Sequence, residues 1–478
     1  MQSPAHLPMK QAFLAFTWVA TVYVVGYYTV SLAMVLLAAI ELRRQRACAV
    51  PGVTEALLHS GAMPGISVIV PAYNEEKGIT RTIRSLAAAR YPDLEIIVVN
   101  DGSKDGTIAT LLVDWELLPS NKLPRASLPT APIRAVYRSP LEPRLVVIDK
   151  RNGGKADALN AGIDFASRPL VCAIDADVLV DPDSLLHLAR PFVEDPTTVA
   201  TSGTIRLLNG CSVTETGRVV PGLQKSLLVL FQALEYSRAF TLGRLFFNPL
   251  NAQLIISGAF GLFQRSLLLE LGGYQAYAIG EDMELVVRAQ RHLRQVKRPF
   301  RIISIADAVL FTEAPTKVGE LGRQRTRWHQ GLLTSLRLHR DLFLNPRFGW
   351  VGLFAVPYFV LFELLSPFFE LGGWLLLPVA WAFGMLSLSA VIPFFIAATT
   401  LSVLVSISAL LVDSLAFDHF ARIGDRLGLL LAAFLEPFGY HQLCLFFRLR
   451  AFPRHYGSIH IRTGWVPPAR AQNPMGAR

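Results

Sequence analysis

The sequence predicts an α/β domain with a mainly parallel sheet, joined to a bundle of about five membrane-spanning helices. Three observations lead there. Apolar residues are 52% of the 478 and charged residues only 17%, against about 25% charged in soluble domains; the mean hydropathy is +0.39. Long apolar runs gather near both termini. Between them, short β-branched runs alternate with helix-like stretches, the pattern of a doubly wound sheet. This composition excludes a disordered chain, a collagen and a coiled coil.

The first apolar run, Phe13 to Ile40, carries no formal charge. At 1.5 Å per residue it is long enough to cross about 30 Å of hydrocarbon. It is too long for the apolar stretch of a signal peptide, so it reads as a retained anchor covering residues 1–46. Arg43, Arg44 and Arg46 then place the following residues in the cytoplasm. Strand signals follow at Ile66–Val70, Leu94–Val99, Leu145–Ile148 and Leu170–Ile174. Helix-like segments, Glu75 to Arg90 and Lys155 to Ala166, lie between members of each pair. Six prolines mark residues 119–143 as an irregular surface insertion. Four further spans are expected, at Gly349–Gly372, Trp374–Leu388, Ala390–Leu411 and Leu427–Phe447. Residues 333–347 form an interfacial connector, and 348–447 the C-terminal transmembrane part. The tail, 448–478, holds six arginines and no acid, so it belongs to the cytoplasm, and the net charge of +10 is explained by topology rather than by a nucleic-acid partner. Glu363, Glu370 and Glu436 fall in or near the spans, where an acid is costly and faces a partner or a pathway. The four cysteines form no CxxC and no zinc-ligand pattern, and are expected to be reduced and structural.

The chemistry-bearing residues follow strands or open helices. Val70-Pro-Ala-Tyr-Asn-Glu-Glu76 ends the first strand, at the edge where open α/β sheets bind ligands. Asn100-Asp-Gly-Ser103 ends the second; Gly102 permits a tight turn, and Asp101 can accept an N–H from a ligand ring. By itself this is equally a good turn. Arg151-Asn-Gly-Gly-Lys155, before a helix, suits a diphosphate, although its spacing is not that of a P-loop. Asp175 and Asp177 flank Ala176 at the end of an apolar strand. Side chains at i and i+2 share a strand face and can hold a hard divalent cation against a diphosphate. Gly280-Glu-Asp-Met-Glu-Leu285 opens a helix, where acids also suit the dipole. Gln324-Arg-Thr-Arg-Trp328 offers Arg327 as a phosphate clamp and Trp328 as a flat apolar face; an interfacial helix with snorkelling arginines would look similar.

In this order, PAYNEE, NDGS, GGKADALN, DAD, GEDMEL and QRTRW resemble the family 2 inverting glycosyltransferases of GT-A (Rossmann-like) fold. Within that group they are similar to the membrane-embedded synthases of poly-N-acetylglucosamine, hyaluronan and cellulose. The motifs cover about residues 64–332. The resemblance implies that Asp101 binds the uracil of a UDP-sugar, helped by Tyr73 and Glu75. It implies that Lys155 supports the nucleotide phosphates, and that Asp175 and Asp177 form the DxD site for Mg²⁺ or Mn²⁺, with Asp177 the direct ligand. Asp282 matches the general base, and Gln324, Arg327 and Trp328 match QxxRW at the acceptor and diphosphate. One departure is NDGS in place of DDGS, which leaves a single acid there.

The expected function is a processive transfer of sugar from a nucleotide-sugar to a growing β-linked polysaccharide that passes across the cell (inner) membrane. Its partners would be the donor, a glycan acceptor, membrane lipid and accessory secretion proteins. The nearest alternative is a non-processive transferase with a membrane-lipid acceptor. A transport or scaffold protein with an inactive sugar-nucleotide domain is disfavoured by the intact DAD, Asp282 and QxxRW set.

Overall fold

Hydrophobic burial on two faces fixes the centre of the protein. A computed structural model describes residues 6–48, 56, 58, 61–214, 219–384, 387–417 and 422–453. The described strands are β1 (Ile66–Ala72), β2 (Leu94–Asn100), β3 (Leu118–Pro119), β4 (Ile133–Arg138), β5 (Leu145–Lys150), β6 (Leu170–Ala173), β7 (Leu179–Val180), β8 (Thr198–Leu207), β9 (Ser212–Val213), β10 (Val219–Val220), β11 (Gly261–Gln264) and β12 (Arg301–Thr312). Ten of them make one sheet in the order β3-β4-β5-β2-β1-β6-β11-β8-β12-β7.

The expected parallel sheet is its centre, where β5, β2, β1 and β6 run parallel. These strands are buried on both faces, which is why they read as continuous β-branched runs. Antiparallel additions flank them: β11 lies between β6 and β8, and β3 and β4 extend the far edge. The last two come from the proline-rich insertion, which is therefore partly ordered as strand. From β1 the chain passes to β2 on one side and later returns to β6 on the other. That switch opens a crevice beyond the carboxyl ends of the strands.

The first helix begins later than the sequence suggests, at Ile79–Ala87, because Glu75–Gly78 is spent in turn. Asp175 and Asp177 also differ from expectation. Strand β6 stops at Ala173, so the two acids occupy the turn that follows it, and strand alternation does not set their directions. The helix Lys155–Phe165 is as expected.

The membrane-spanning count is a correction. Among the described residues three helical runs are long and apolar enough to cross: Trp18–Ala47, Val351–Ala382 and Val391–Ala416. A fourth candidate, Ile423–Leu435 with Tyr440–Pro453, is bent by 63°. The expected spans at 349–372 and 374–388 are one run. The boundary expected at Gly372–Trp374 lies within the helix Ser366–Ala382, which continues through it, and Pro367 sits in the first turn of that helix, where its missing N–H costs nothing. Pro378 and Pro393 likewise lie inside helices. The run expected at 427–447 is broken between its two helices, at Glu436–Gly439.

The helices are fastened to the sheet by polar groups. Glu41, 2% exposed, accepts from Asn248 at 3.1 Å, and Gln45 bonds the Ser304 carbonyl at 2.8 Å. Arg206 of β8 pairs with Asp413 at 2.7 Å, and Asp413 also accepts from Thr241 at 2.6 Å. The three acids in or near the spans each have a basic partner: Glu363 faces Arg448 at 3.8 Å, Glu370 meets His441 at 2.5 Å, and Glu436 pairs with Arg238. Cys172, Cys211 and Cys444 are free thiols, as expected; the Cys48 side chain and residues 454–478 of the basic tail lie outside the described residues.

Candidate active site

The first two motifs are laced together. Asn74 has a positive φ of 60°, which turns the loop after β1 toward the loop after β2. Its backbone N–H donates to Ser103 Oγ at 3.0 Å, and its side chain accepts from Lys104 N at 2.8 Å. Glu75 N donates to Thr107 Oγ1 at 2.9 Å, and Gly106 N to Glu76 at 3.1 Å. Tyr73 is left 44% exposed, with its ring available for stacking.

Asp101 is buried, and its carboxylate organises the next loop. It accepts from Lys150 Nζ at 2.6 Å, Gly153 N at 3.0 Å and Gly154 N at 2.8 Å. Lys150 is fully buried and also pairs with Asp157. The glycines are required here. Gly102 has φ 67°, and a Cβ on it would come within 2.7 Å of Asn152 N, while Gly154 has φ 91°. Lys150 was missed from sequence; the signal was a cation closing a strand, just before the Arg151-Asn-Gly-Gly-Lys155 turn.

Lys155, at the N-terminus of its helix, reaches Asp175 at 2.5 Å. Burial works against its charge, but Asp175, Glu281 and Asp282 outweigh it and hold the ammonium firmly protonated. The same couplings place the DAD turn and the start of the helix Glu281–Gln295 around one cation. Glu281, unassigned from sequence, is pushed up by burial and by the charge of Asp282. On the other side, Glu75 is pushed up to about 7 by burial and by the charges of Asp177 and Asp175. Asp177 is exposed, yet surrounding protein and then Asp175 raise its carboxyl above the ordinary range. Negative charge is thus in excess at Glu75, Asp175 and Asp177, an environment that fits a cation. Among the described residues no three metal-ligating side chains converge. Two carboxylates and a diphosphate would suffice for Mg²⁺ or Mn²⁺.

Asp282 is held by the backbone, accepting from Gly258 N at 2.9 Å and Met283 N at 2.8 Å. Gly280 precedes its helix at φ 77°, and a Cβ there would stand 2.8 Å from Gly331 Cα. That glycine contact presses the start of the Asp282 helix against the helix Val318–Leu338, three residues beyond Trp328. On that second helix Arg327 is exposed, Gln324 half-buried and Trp328 39% exposed. Tyr236 and Phe240 approach the indole with ring centroids at 6.3 and 6.5 Å. Sequence reading missed both, because their helix, Leu227–Tyr236 and its continuation, looks like apolar core. Of the ten expected site residues, Tyr73, Glu75, Asp101, Asp175 and Asp177 lie on loops that follow strands, and Lys155 at a helix start, on the sheet side; Asp282 lies in the first turn of its helix, and Gln324, Arg327 and Trp328 within the helix Val318–Leu338, on the helix side.

Residues 170–412, just over half of the chain, match the family described as glycosyl transferase family group 2, and residues 67–112 match glycosyl transferase family 2. Curated relatives include poly-beta-1,6-N-acetyl-D-glucosamine synthases. That of Staphylococcus aureus strain COL is 28% identical over 270 residues, 56% of this chain and 55% of the relative. That of Staphylococcus epidermidis is 28% identical over 267 residues, 56% of this chain and 54% of the relative. The chain spans about half the length of the curated relatives it matches. Among solved structures, a mannosyltransferase from Pyrobaculum calidifontis in complex with GDP-Man and Mn²⁺ is 20% identical, with a TM-score of 0.49 over 82% of this chain and 98% of that one.

Proposed function

Because this chain belongs to glycosyl transferase family group 2, we propose that it is a membrane-integrated, processive, inverting transferase that builds a β-linked polysaccharide from a UDP-sugar. The observation that carries the reading is the approach of two helices, one starting at Asp282 and one bearing Trp328, beside the Lys155–Asp175 pair. A base, an acceptor platform and a diphosphate site then share one cleft.

Tyr73 and the remaining acceptor position of Asp101 would receive the base. Lys155 would bind the diphosphate, and Arg327, exposed at the cleft, would clamp it from the helix side. A divalent cation held by Asp177 and Asp175 would neutralise the charge that develops on the leaving UDP. The acceptor sugar would stack on Trp328. Its hydroxyl oxygen attacks the anomeric carbon opposite the phosphate, the C–O bond to UDP breaks, and the hydroxyl proton passes to Asp282. The new linkage has the opposite anomeric configuration to the donor.

The catalytic domain is assigned to the cytoplasmic side of the cell membrane. With three crossing runs and the bent pair lying along the surface, the segment after residue 417 returns to the side of the catalytic domain. Arg422, Arg426, Arg448 and Arg450 suit that side.

The test is a donor panel on membranes or on purified protein in detergent. UDP-N-acetylglucosamine, UDP-glucose, UDP-glucuronate and GDP-mannose are supplied with Mg²⁺ or Mn²⁺, and the products are sized. A long polymer, expected from UDP-N-acetylglucosamine given the relatives, supports the reading. A single sugar on extractable lipid replaces it with the lipid-acceptor alternative.

A further inference from the structure

We infer that Arg325 is a positioning residue that orients Trp328 and Gln324 and ties them to the bent helix pair. The inference rests on the acceptor role proposed for Trp328. Within QRTRW the spacing says nothing about the second residue, but the helix does. Arg325 and Trp328 are three apart and share a face, whereas Arg327 points away from it.

Arg325 is 2% exposed; its two Nη groups and one face of its guanidinium have partners, while Nε has none among the described residues. Nη1 donates to Gln324 Oε1 at 2.6 Å, and Nη2 to Glu235 Oε2 at 2.7 Å. Its centre lies over the Trp328 indole at 4.2 Å. Glu235 also accepts from the Tyr440 hydroxyl at 2.8 Å. The chain of contacts thus runs from the platform, through Arg325 and Glu235, to the helix Tyr440–Leu449. A parallel contact, Thr326 Oγ1 to the Phe447 carbonyl at 3.0 Å, fixes the spacing of the same two helices.

Stability alone is a poor reason for this arrangement. A buried ion pair contributes little beyond an apolar pair of the same size. What a guanidinium adds is orientation, because its planar fork fixes two acceptors and an aromatic face at once. Trp328 needs that support. It is 39% exposed, and Tyr236 and Phe240 touch it at a tilt and edge-on, at 46° and 83°. Arg325 covers one indole face, so the sugar would stack on the opposite one.

The experiment uses the full chain in detergent, with R325Q, R325K, E235Q, W328A and W328F variants. Two readouts do not require turnover. One is the Trp328 emission and its acrylamide quenching, obtained by difference from W328F; the other is binding of UDP with Mn²⁺. The third is initial rate against UDP-N-acetylglucosamine and against an N-acetylglucosamine pentamer. In R325Q and E235Q the Trp328 quenching constant should rise about twofold, and UDP binding should stay within twofold. The KM for the pentamer should rise about tenfold, with R325K intermediate. R325Q should add nothing to W328A, because both remove one platform. If R325Q fails to fold, E235Q tests the same link with Arg325 intact. The inference is overturned if Trp328 quenching is unchanged in R325Q or E235Q, or if UDP binding falls as much as pentamer use. Should the unaltered chain transfer no sugar, the functional reading fails, while the Trp328 readout still decides the role of Arg325.

Discussion

The two sides of the cleft solve the problem of buried charge differently. On the sheet side, motif residues are bonded by backbone and by side chains in neighbouring loops. Asp101 is held by Gly153 N, Gly154 N and Lys150, and Asn74 by Ser103 and Lys104. On the helix side, charges pair across helices distant in the chain: Arg325 with Glu235, and Arg238 with Glu436. Loops at strand ends bring donors and acceptors together through local turns, so a short motif carries its own geometry. Helices satisfy their own backbones and leave side chains to find partners wherever packing brings them. The sheet side should therefore hold its shape independently, whereas the helix side depends on how the membrane-proximal helices are assembled.

The largest effect is expected at Asp282, which would act on the helix side alone. Asp282→Asn keeps an acceptor for Gly258 N but removes the base, so transfer should fall about 10³-fold, with UDP and Mn²⁺ binding within twofold of the original. Rate and nucleotide-binding measurements on the same preparation check this. An equal loss of nucleotide binding would mean that the two sides are not separable.

Next is Lys150→Met, on the sheet side. The variant leaves the Asp101 and Asp157 carboxylates without their buried cation, at a cost of about 3–5 kcal/mol. For a domain of this size the unfolding midpoint should drop by roughly 10 °C, measured by thermal denaturation in detergent. A midpoint within 2 °C of the original would show the loop to be held by its glycines and backbone alone.

This division also explains what the sequence made legible. The parallel centre of the sheet, the motif loops and the QxxRW helix were readable, because continuous β-branched runs and turn residues are local signals. The antiparallel flank of β3 and β4 was hidden by prolines, which sit in loops and strand ends as readily as in irregular chain. The number of spans was overcounted because a boundary between two spans was expected at Gly372–Trp374, where the helix Ser366–Ala382 continues unbroken. Lys150, Arg325 and Glu235 were passed over for a common reason. Each takes its meaning from a partner that no spacing rule can name.

The smallest effect tests whether the bent pair covers the helix side at all. His329 is 4% exposed, edge-on to Phe452 at 5.4 Å, and its Nε2 has no hydrogen-bond partner among the described residues. Burial, and then the charge of Arg448, pushes its pKa down from 6.5 to about 3. The unfolded chain therefore binds the proton more readily between those values, so stability rises with pH through that window and is lost as pH falls below about 6.5. Going from pH 7.5 to 5.5, the unaltered chain should lose about 1.4 kcal/mol more than His329→Gln, a difference in which groups common to both cancel. Thermal unfolding of the two proteins at both pH values measures it. Equal losses would mean that His329 is hydrated and titrates normally. Phe452 and the helix before it would then not cover this side of the cleft, and the platform would be held by the catalytic domain alone.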